Sequence, residues 1–148
     1  MITYTKGDIF SGDYEAIVNP VNCVGVMGAG LAKEFRKRYP AMFLAYQSEC
    51  KKERVSIGVC LVWDTDVPNP KYVVNLPTKI HWKDSSEYEY IRLGLVSLES
   101  YIRNNNIKSI GIPALGCGLG GLDWKELRPL FDKYLSDLDC SITVFEPT

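Results

Sequence analysis

The chain has 148 residues, a formal net charge of −1, 46% hydrophobic residues and 24% charged residues. These values are typical of a globular domain and exclude a disordered tail, a fibrous repeat or a strongly basic nucleic-acid binder. No apolar run approaches the ~20 residues that span a bilayer, and the first residues lack the apolar centre of a signal peptide. We therefore expect one domain over residues 1–148, in the cytoplasm and without membrane contact.

Strand-like and helix-like segments alternate along the first half of the chain. Residues 2–5 and 14–21 are predicted strands, and the second is apolar on both faces in its middle, which indicates helices on both sides of a sheet. A helix is predicted over residues 29–38, and Pro40 begins another with a buried stripe at helical spacing: Met42, Phe43, Tyr46 and Cys50. Residues 55–63 and 72–76 are predicted to pair as strands.

The second half continues the alternation. Ser86 with Glu89 forms a capping box that predicts a long helix over residues 86–105. A strand at residues 107–113 follows, and Asp123 opens the last helix, which Pro129 is expected to kink or split. A final strand is predicted at residues 140–145. This order predicts an α/β domain with a ligand crevice at one edge of its sheet.

Two glycine-rich loops, each following a predicted strand, are the most informative feature. The first glycine loop is residues 25–30, and the second glycine loop is residues 116–121. Glycine lets backbone N–H groups turn toward a ligand that a Cβ would block, and a helix beginning behind the loop adds its positive end. Lys79 lies in a third loop. The pattern indicates a pocket for a diphosphate-bearing nucleotide with one reactive amine.

The cysteines and the basic residues each allow two interpretations. Five scattered cysteines with a single histidine, His81, favour reduced thiols and no metal. Cys23 and Cys117 lie in or beside the glycine loops, where they are nucleophiles or, as we favour, small packed residues. The basic residues 33–38 are a solvated helix face or a rim that attracts a polyanionic substrate. Trp82 and Trp124 are interpreted as packing residues rather than base-stacking ones.

In five ordered motifs the chain resembles the macrodomain family, and within it the branch of DarG-like and terminal ADP-ribose glycohydrolases. The motifs cover nearly the whole chain: Thr5-Lys6-Gly7-Asp8-Ile9-Phe10, Ala16-Ile17-Val18-Asn19-Pro20-Val21-Asn22, Gly25-Val26-Met27-Gly28-Ala29-Gly30-Leu31-Ala32, Asn75-Leu76-Pro77-Thr78-Lys79, and Ile112-Pro113-Ala114-Leu115-Gly116-Cys117-Gly118-Leu119-Gly120-Gly121-Leu122-Asp123-Trp124. The resemblance implies a three-layer α/β/α sandwich around a mixed, mostly parallel sheet that binds ADP-ribose.

The resemblance also implies roles for individual residues. Asp8 would accept a hydrogen bond from the adenine amino group, and Ile9 would offer a backbone N–H. Asn22 would orient the distal ribose, and Lys79 would act on the anomeric carbon. The other implied ADP-ribose contacts are Asn19, Gly25, Val26, Met27, Gly28, Gly30, Thr78, Gly116, Cys117, Gly118, Leu119, Gly120 and Gly121.

Several of these residues have a simpler alternative role. Lys79 is otherwise a solvated charge or a phosphate-binding cation, Asp8 a turn cap and Asn19 a turn residue. The human glycohydrolases of this branch carry an aspartate where this chain has Gly120, so the lysine lacks that partner. In the ester-hydrolysing macrodomains an aspartate lies in the first loop, where this chain has Met27 and Ala29.

The resulting functional hypothesis is a cofactor-free, monomeric hydrolase that removes ADP-ribose from a macromolecule, with nucleic-acid bases, as in single-stranded DNA, as the favoured target. Two alternatives remain: a phosphatase acting on ADP-ribose 1''-phosphate, and an ADP-ribose-binding module without turnover. The choice depends on residues at the rim of the cleft rather than on the glycine loops.

Overall fold

The computed structural model describes all residues 1–148 and is built on one six-stranded sheet. Its strands are β1 (Ile2–Thr5), β2 (Ala16–Val21), β3 (Leu61–Asp64), β4 (Tyr72–Pro77), β5 (Ser109–Pro113) and β6 (Ser141–Phe145). They lie in the order β1-β6-β5-β2-β4-β3, and every neighbouring pair is parallel except β3 with β4. The predicted mixed, mostly parallel sheet is confirmed.

Two pairs of helices cover the two faces of the sheet. They are α1 (Gly30–Arg38), α2 (Pro40–Lys51), α3 (Tyr88–Asn105) and α4 (Trp124–Leu135). One core contains Leu95 and Leu98 of α3 with Phe131 of α4, and the other contains Phe35 of α1 with Tyr46 of α2. This is the predicted α/β/α sandwich. None of the helices combines the length and apolarity needed to cross a membrane.

The sheet order brings three loops together. Strands β5, β2 and β4 are consecutive neighbours and all run parallel, so their carboxyl ends meet at one edge of the sheet. The second glycine loop follows β5, the first follows β2, and the loop with Lys79 follows β4. A crevice outside the carboxyl ends of strands is the usual ligand site of an α/β sheet.

Four predicted element starts were wrong by two residues or more. The strands predicted from residues 14 and 107 begin at Ala16 and Ser109. The strand predicted at residues 55–63 is confined to Leu61–Asp64, because residues 55–60 form turns, with Gly58 at φ +85°, that bury Val55 in the core. The long helix begins at Tyr88, not Ser86, and no side chain caps it. The Ser86 amide instead donates to Gly120 O at 2.9 Å, and Glu89 pairs with Arg92.

The last helix is capped as predicted but is not split. The Asp123 carboxylate accepts a hydrogen bond from Lys125 N at 3.0 Å. Helix α4 then runs without a break through Pro129. Proline near a helix start removes only one early hydrogen bond, and the buried side chains on either side, Leu127 and Phe131, pack into the same core. Packing therefore holds both parts of α4 in one helix.

Candidate ADP-ribose-binding cleft

The first glycine loop is held in shape by the side chain of Asn22. Its Oδ1 accepts from Val24 N at 3.0 Å and Val26 N at 3.4 Å, and its Nδ2 donates to Val26 O at 2.7 Å. The Tyr46 hydroxyl, from α2 beneath, lies 2.8 Å from Asn22 Oδ1. An amide side chain has two N–H donors, so one Nδ2 proton of Asn22 stays free of these bonds. Asn22 therefore organises the loop and keeps one donor for a ligand.

The first glycine loop leaves a row of backbone donors without acceptors. The amides of Met27, Gly28, Ala29 and Gly30 donate to no group of the protein. Helix α1 starts at Gly30, and its N-cap, Ala29, offers no side-chain cap. The first N–H groups of a helix need a partner, and most helices provide one from a Ser, Thr, Asp or Asn side chain. An anion is the ligand that such an open helix start favours.

The second glycine loop supplies further free donors from the opposite wall. The amides of Gly116, Gly118 and Leu119 have no acceptor in the protein. Gly116 has φ +82°, and a Cβ there would lie 2.7 Å from Leu122 Cδ1, so glycine is required by both conformation and space. The two loops approach each other, since Leu119 Cδ1 lies 3.6 Å from where a Cβ of Gly30 would be.

Lys79 reaches across to the second glycine loop. Its Nζ lies 3.4 Å from the carbonyl oxygen of Leu119, to which it donates. The loop that carries Lys79 is fixed to the end of β2 and the residues that follow it. Thr78 N donates to Val21 O and Cys23 N donates to Ile80 O, both at 2.8 Å. The structure therefore brings together the three segments that the sequence predicted to share a pocket. Lys79 as a whole is half-buried, and its amine reaches the protein surface at the bond to Leu119 O.

No carboxylate accompanies the lysine from position 120. A Cβ on Gly120 would lie 2.6 Å from Ser86 Oγ and 3.2 Å from Ser86 Cβ. The Ser86 hydroxyl is buried and has no hydrogen-bond partner. A side chain at position 120 would therefore require Ser86 to move. Asp123, the nearest acidic residue after the loop, is engaged as the cap of α4.

Three other residues predicted to contact ADP-ribose differ in how far they are exposed. Asp8 does cap the short turn Ile9–Ser11, accepting from Phe10 N at 2.9 Å through Oδ1, while its side chain stays exposed. Asn19 is not a turn residue. It lies within β2 with no exposed surface, and its Nδ2 donates to Asn75 Oδ1 at 3.0 Å. Asn19 therefore lies inside the sheet rather than in one of the loops of the cleft, and its Oδ1 has no hydrogen-bond partner. Thr78 is also buried.

The thiols are packed rather than activated. All five cysteines are free. Burial, assisted by Cys50, raises the pKa of Cys23 to about 11, and burial also raises the pKa of Cys117. A nucleophilic cysteine needs the opposite shift. The structure thus supports the packing interpretation for both. No group of His, Cys, Asp and Glu side chains could hold a metal ion.

The basic residues of α1 form an exposed face beside the first glycine loop. Lys33, Arg36 and Lys37 line a groove of about 530 Å³ that Met27 and Gly28 also border. The Arg36 guanidinium lies 4.1 Å from the centroid of the Phe43 ring. Part of this charge is thus used in packing, and the face continues to the edge of the cleft.

Residues 18–131 match the model of the Macro domain family, and the chain belongs to that family. Among curated relatives it is 45% identical over 150 residues to the DNA ADP-ribosyl glycohydrolase of Mycobacterium tuberculosis, a match that covers 100% of this chain and 43% of the relative. The chain spans less than half the length of the curated DNA ADP-ribosyl glycohydrolases it matches.

Two solved structures extend the likeness to the fold. The macrodomain of Mycobacterium tuberculosis DarG superimposes with a TM-score of 0.97 at 45% identity, covering 100% of this chain and 99% of that one. Thermosipho africanus DarTG in complex with ADP-ribose gives 0.93 at 32% identity, covering 99% of this chain and 41% of that one. The resemblance to the DarG-like branch is confirmed.

Tyr46 is the residue of the site that sequence analysis missed. It was assigned only to the apolar stripe of α2, whereas its hydroxyl contacts Asn22 at the base of the first glycine loop. A polar atom at the tip of an otherwise apolar stripe was the available signal, since a buried tyrosine usually finds a partner for its hydroxyl.

Proposed function

We propose that this macro domain hydrolyses the bond between ADP-ribose and a nucleic-acid base, with single-stranded DNA as the substrate class. The observation that carries the proposal is the primary amine of Lys79 at the meeting point of two loops with unpaired backbone donors. The 45% identity to the DNA ADP-ribosyl glycohydrolase of Mycobacterium tuberculosis supports the same reaction. We propose the cytoplasm as the setting and a monomer as the working unit.

The cleft suits a pyrophosphate flanked by two riboses. Amides of the first glycine loop and the open start of α1 would take the phosphate oxygens, and amides of the second glycine loop would close over them. Asp8 keeps a carboxylate oxygen free of its capping bond for the adenine amino group, and Ile9 adds a backbone donor. The free Nδ2 proton of Asn22 would orient the distal ribose.

Lys79 would then act on the anomeric carbon. In this step the Lys79 ammonium first gives a proton to solvent, and its nitrogen then forms a bond to C1'' while the bond from C1'' to the base breaks; the base leaves with the electron pair and takes a proton from solvent. Water then displaces the amine, so that ADP-ribose is released and the lysine is regenerated. The donor bond from Lys79 to Leu119 O holds the amine at the cleft before substrate binds.

The test is an assay on a single-stranded oligonucleotide that carries one ADP-ribosyl group on a base. We expect release of free ADP-ribose and restoration of the unmodified oligonucleotide, both measured by mass spectrometry. Release of inorganic phosphate from ADP-ribose 1''-phosphate, without activity on DNA, would identify a phosphatase instead. Binding of ADP-ribose by calorimetry with no turnover of either substrate would identify a binding module, and the proposal would fail.

A further inference from the structure

Trp82, three residues after Lys79, takes no part in the site described above. The Trp82 indole is 50% exposed, whereas Trp124 packs on Phe131 and donates to Glu146 Oε2 at 2.9 Å. The packing role expected for both tryptophans therefore fits Trp124 and not Trp82. An exposed aromatic ring on a segment that is bonded to both loops of a cleft is a candidate contact for ligand.

We propose that Trp82 is a stacking platform for a nucleobase that flanks the modified base in the single-stranded substrate. This inference rests on the proposed function, and it names a residue that recognises the DNA strand rather than the ADP-ribosyl group. Aromatic rings bind single strands without sequence preference, because every base presents a flat π-face.

The segment that carries Trp82 is fixed at both ends to the ADP-ribose cleft. Ile80 O accepts from Cys23 N, beside the first glycine loop, at 2.8 Å. Ser86 N donates to Gly120 O, in the second glycine loop, at 2.9 Å. Residues 80–86 thus form a bridge from one loop to the other. Trp82 is three residues from Lys79, so the two Cα atoms are within roughly 11 Å.

The bridge is also ordered internally, which keeps the indole in place. Lys83 N donates to His81 Nδ1 at 3.2 Å, and Asp84 N donates to His81 O at 3.0 Å. The His81 ring stacks on the indole with a centroid distance of 5.4 Å and an interplanar angle of 30°. A ring held by such contacts loses little freedom when a base stacks on it.

The surroundings of Trp82 favour a base of the DNA strand over another occupant. Lys83 Nζ lies 5.1 Å from the indole centroid, and its flexible stem lets it pair with a phosphate once a base takes the ring. Ile80 and His81 separate Trp82 from Lys79, so the base bonded to C1'' lies at the lysine, and the platform is left for its neighbour in the strand.

The experiment compares two substrates: an ADP-ribosylated single-stranded oligonucleotide and the ADP-ribosylated deoxynucleoside. For Trp82→Ala we expect the preference for the oligonucleotide, as the ratio of kcat/KM values, to fall about 5- to 150-fold, the effect of losing one stacked base. Trp82→Phe should retain most of the preference, since it keeps a ring. Val96→Ala is the control, because it shortens an exposed apolar side chain elsewhere, on α3. Its ratio of kcat/KM values should match that of the wild type.

A second measurement is independent of turnover. Lys79→Ala protein should bind the modified oligonucleotide with quenching of tryptophan fluorescence, and Lys79→Ala/Trp82→Ala should lose both the quenching and affinity. An unchanged substrate ratio together with unchanged quenching in the Trp82→Ala proteins would overturn the platform. Wild-type protein that shows Trp82-dependent quenching yet cleaves neither substrate would overturn the proposed function and leave the platform standing.

Discussion

The hydroxyl oxygen of Tyr46 lies 2.8 Å from both the backbone oxygen and the side-chain oxygen of Asn22. Burial, with Cys50 nearby, holds the pKa of Tyr46 well above its usual range, so the hydroxyl is a permanent donor. Helix α2 thereby supports the first glycine loop from below. The first glycine loop is thus tied to the core by one buried hydroxyl.

Tyr46→Phe should therefore loosen the first glycine loop. We expect a loss of about 0.5–1.5 kcal/mol in the free energy of unfolding and a severalfold weaker affinity for ADP-ribose. Urea unfolding and calorimetry measure the two effects. Tyr39→Phe is the matched control, because the Tyr39 hydroxyl makes no hydrogen bond in the protein. Equal behaviour of the two variants would contradict the support role of Tyr46.

Substitutions at Lys79 separate chemistry from binding. Lys79→Ala should reduce kcat on the modified oligonucleotide by about 10³-fold or more, with less than about a threefold change in ADP-ribose affinity. Lys79→Arg should be equally inactive, because a guanidinium keeps its proton and cannot attack carbon. Lys133→Ala, on the exposed face of α4, is the control. If Lys79→Arg retained activity while Lys79→Ala lost affinity, the lysine would be a phosphate-binding cation.

The contact between positions 86 and 120 predicts a double-mutant cycle. Gly120→Ala should destabilise the protein by about 1–3 kcal/mol, since the new Cβ meets Ser86 Oγ at 2.6 Å. Ser86→Ala alone should be neutral or stabilising, because it removes a buried hydroxyl that has no partner. The two changes together should cost less than Gly120→Ala alone, as measured by urea unfolding. Strict additivity would show that the clash is relieved elsewhere.

The thiol pKa values predict slow alkylation near neutral pH. Burial raises the pKa of Cys23 to about 11, so its thiolate fraction at pH 7.5 is about 100-fold or more below that of a free cysteine. The rate of reaction with iodoacetamide should rise about tenfold per pH unit between pH 8 and 10. Peptide mass spectrometry assigns the modified residue. Rapid labelling of Cys23 or Cys117 at pH 7 would revive the nucleophile interpretation.

Local pattern was enough to predict the layers of this fold. The apolar β2 and the two glycine loops follow from residue types a few positions apart, and the sheet order then brings the loops together. Ser86 shows where local pattern fails. Its spacing to Glu89 predicts a capping box, but the backbone of Ser86 is bonded to Gly120, 34 positions along the chain. No local rule contains that contact.

In the candidate site, too, local sequence predicted some features and distant contacts determined others. The positions of the free loop amides could be anticipated from the glycines, whereas the support from Tyr46 depends on how α2 packs into the core behind the loop. Residues 55–60 read as strand because they are apolar and β-branched, but their hydrophobicity serves to bury Val55 under a turn. Side-chain chemistry therefore predicted which segments meet at the cleft, and tertiary packing decided which of their residues are exposed there.

Because β1 and β6 are parallel, the residue before β1 and the residues after β6 lie at opposite ends of the sheet. The Met1 amine donates to Cys140 O at 3.2 Å, at the edge of the sheet away from the glycine loops. Strand β6 ends at Phe145, which is in register with Pro113 at the end of β5, shortly before the second glycine loop. An affinity tag or a sensor-chip linkage on the amino group therefore leaves the entrance unobstructed. A peptide fused after Thr148 would emerge at the end of the sheet that carries the glycine loops and would reduce access to them.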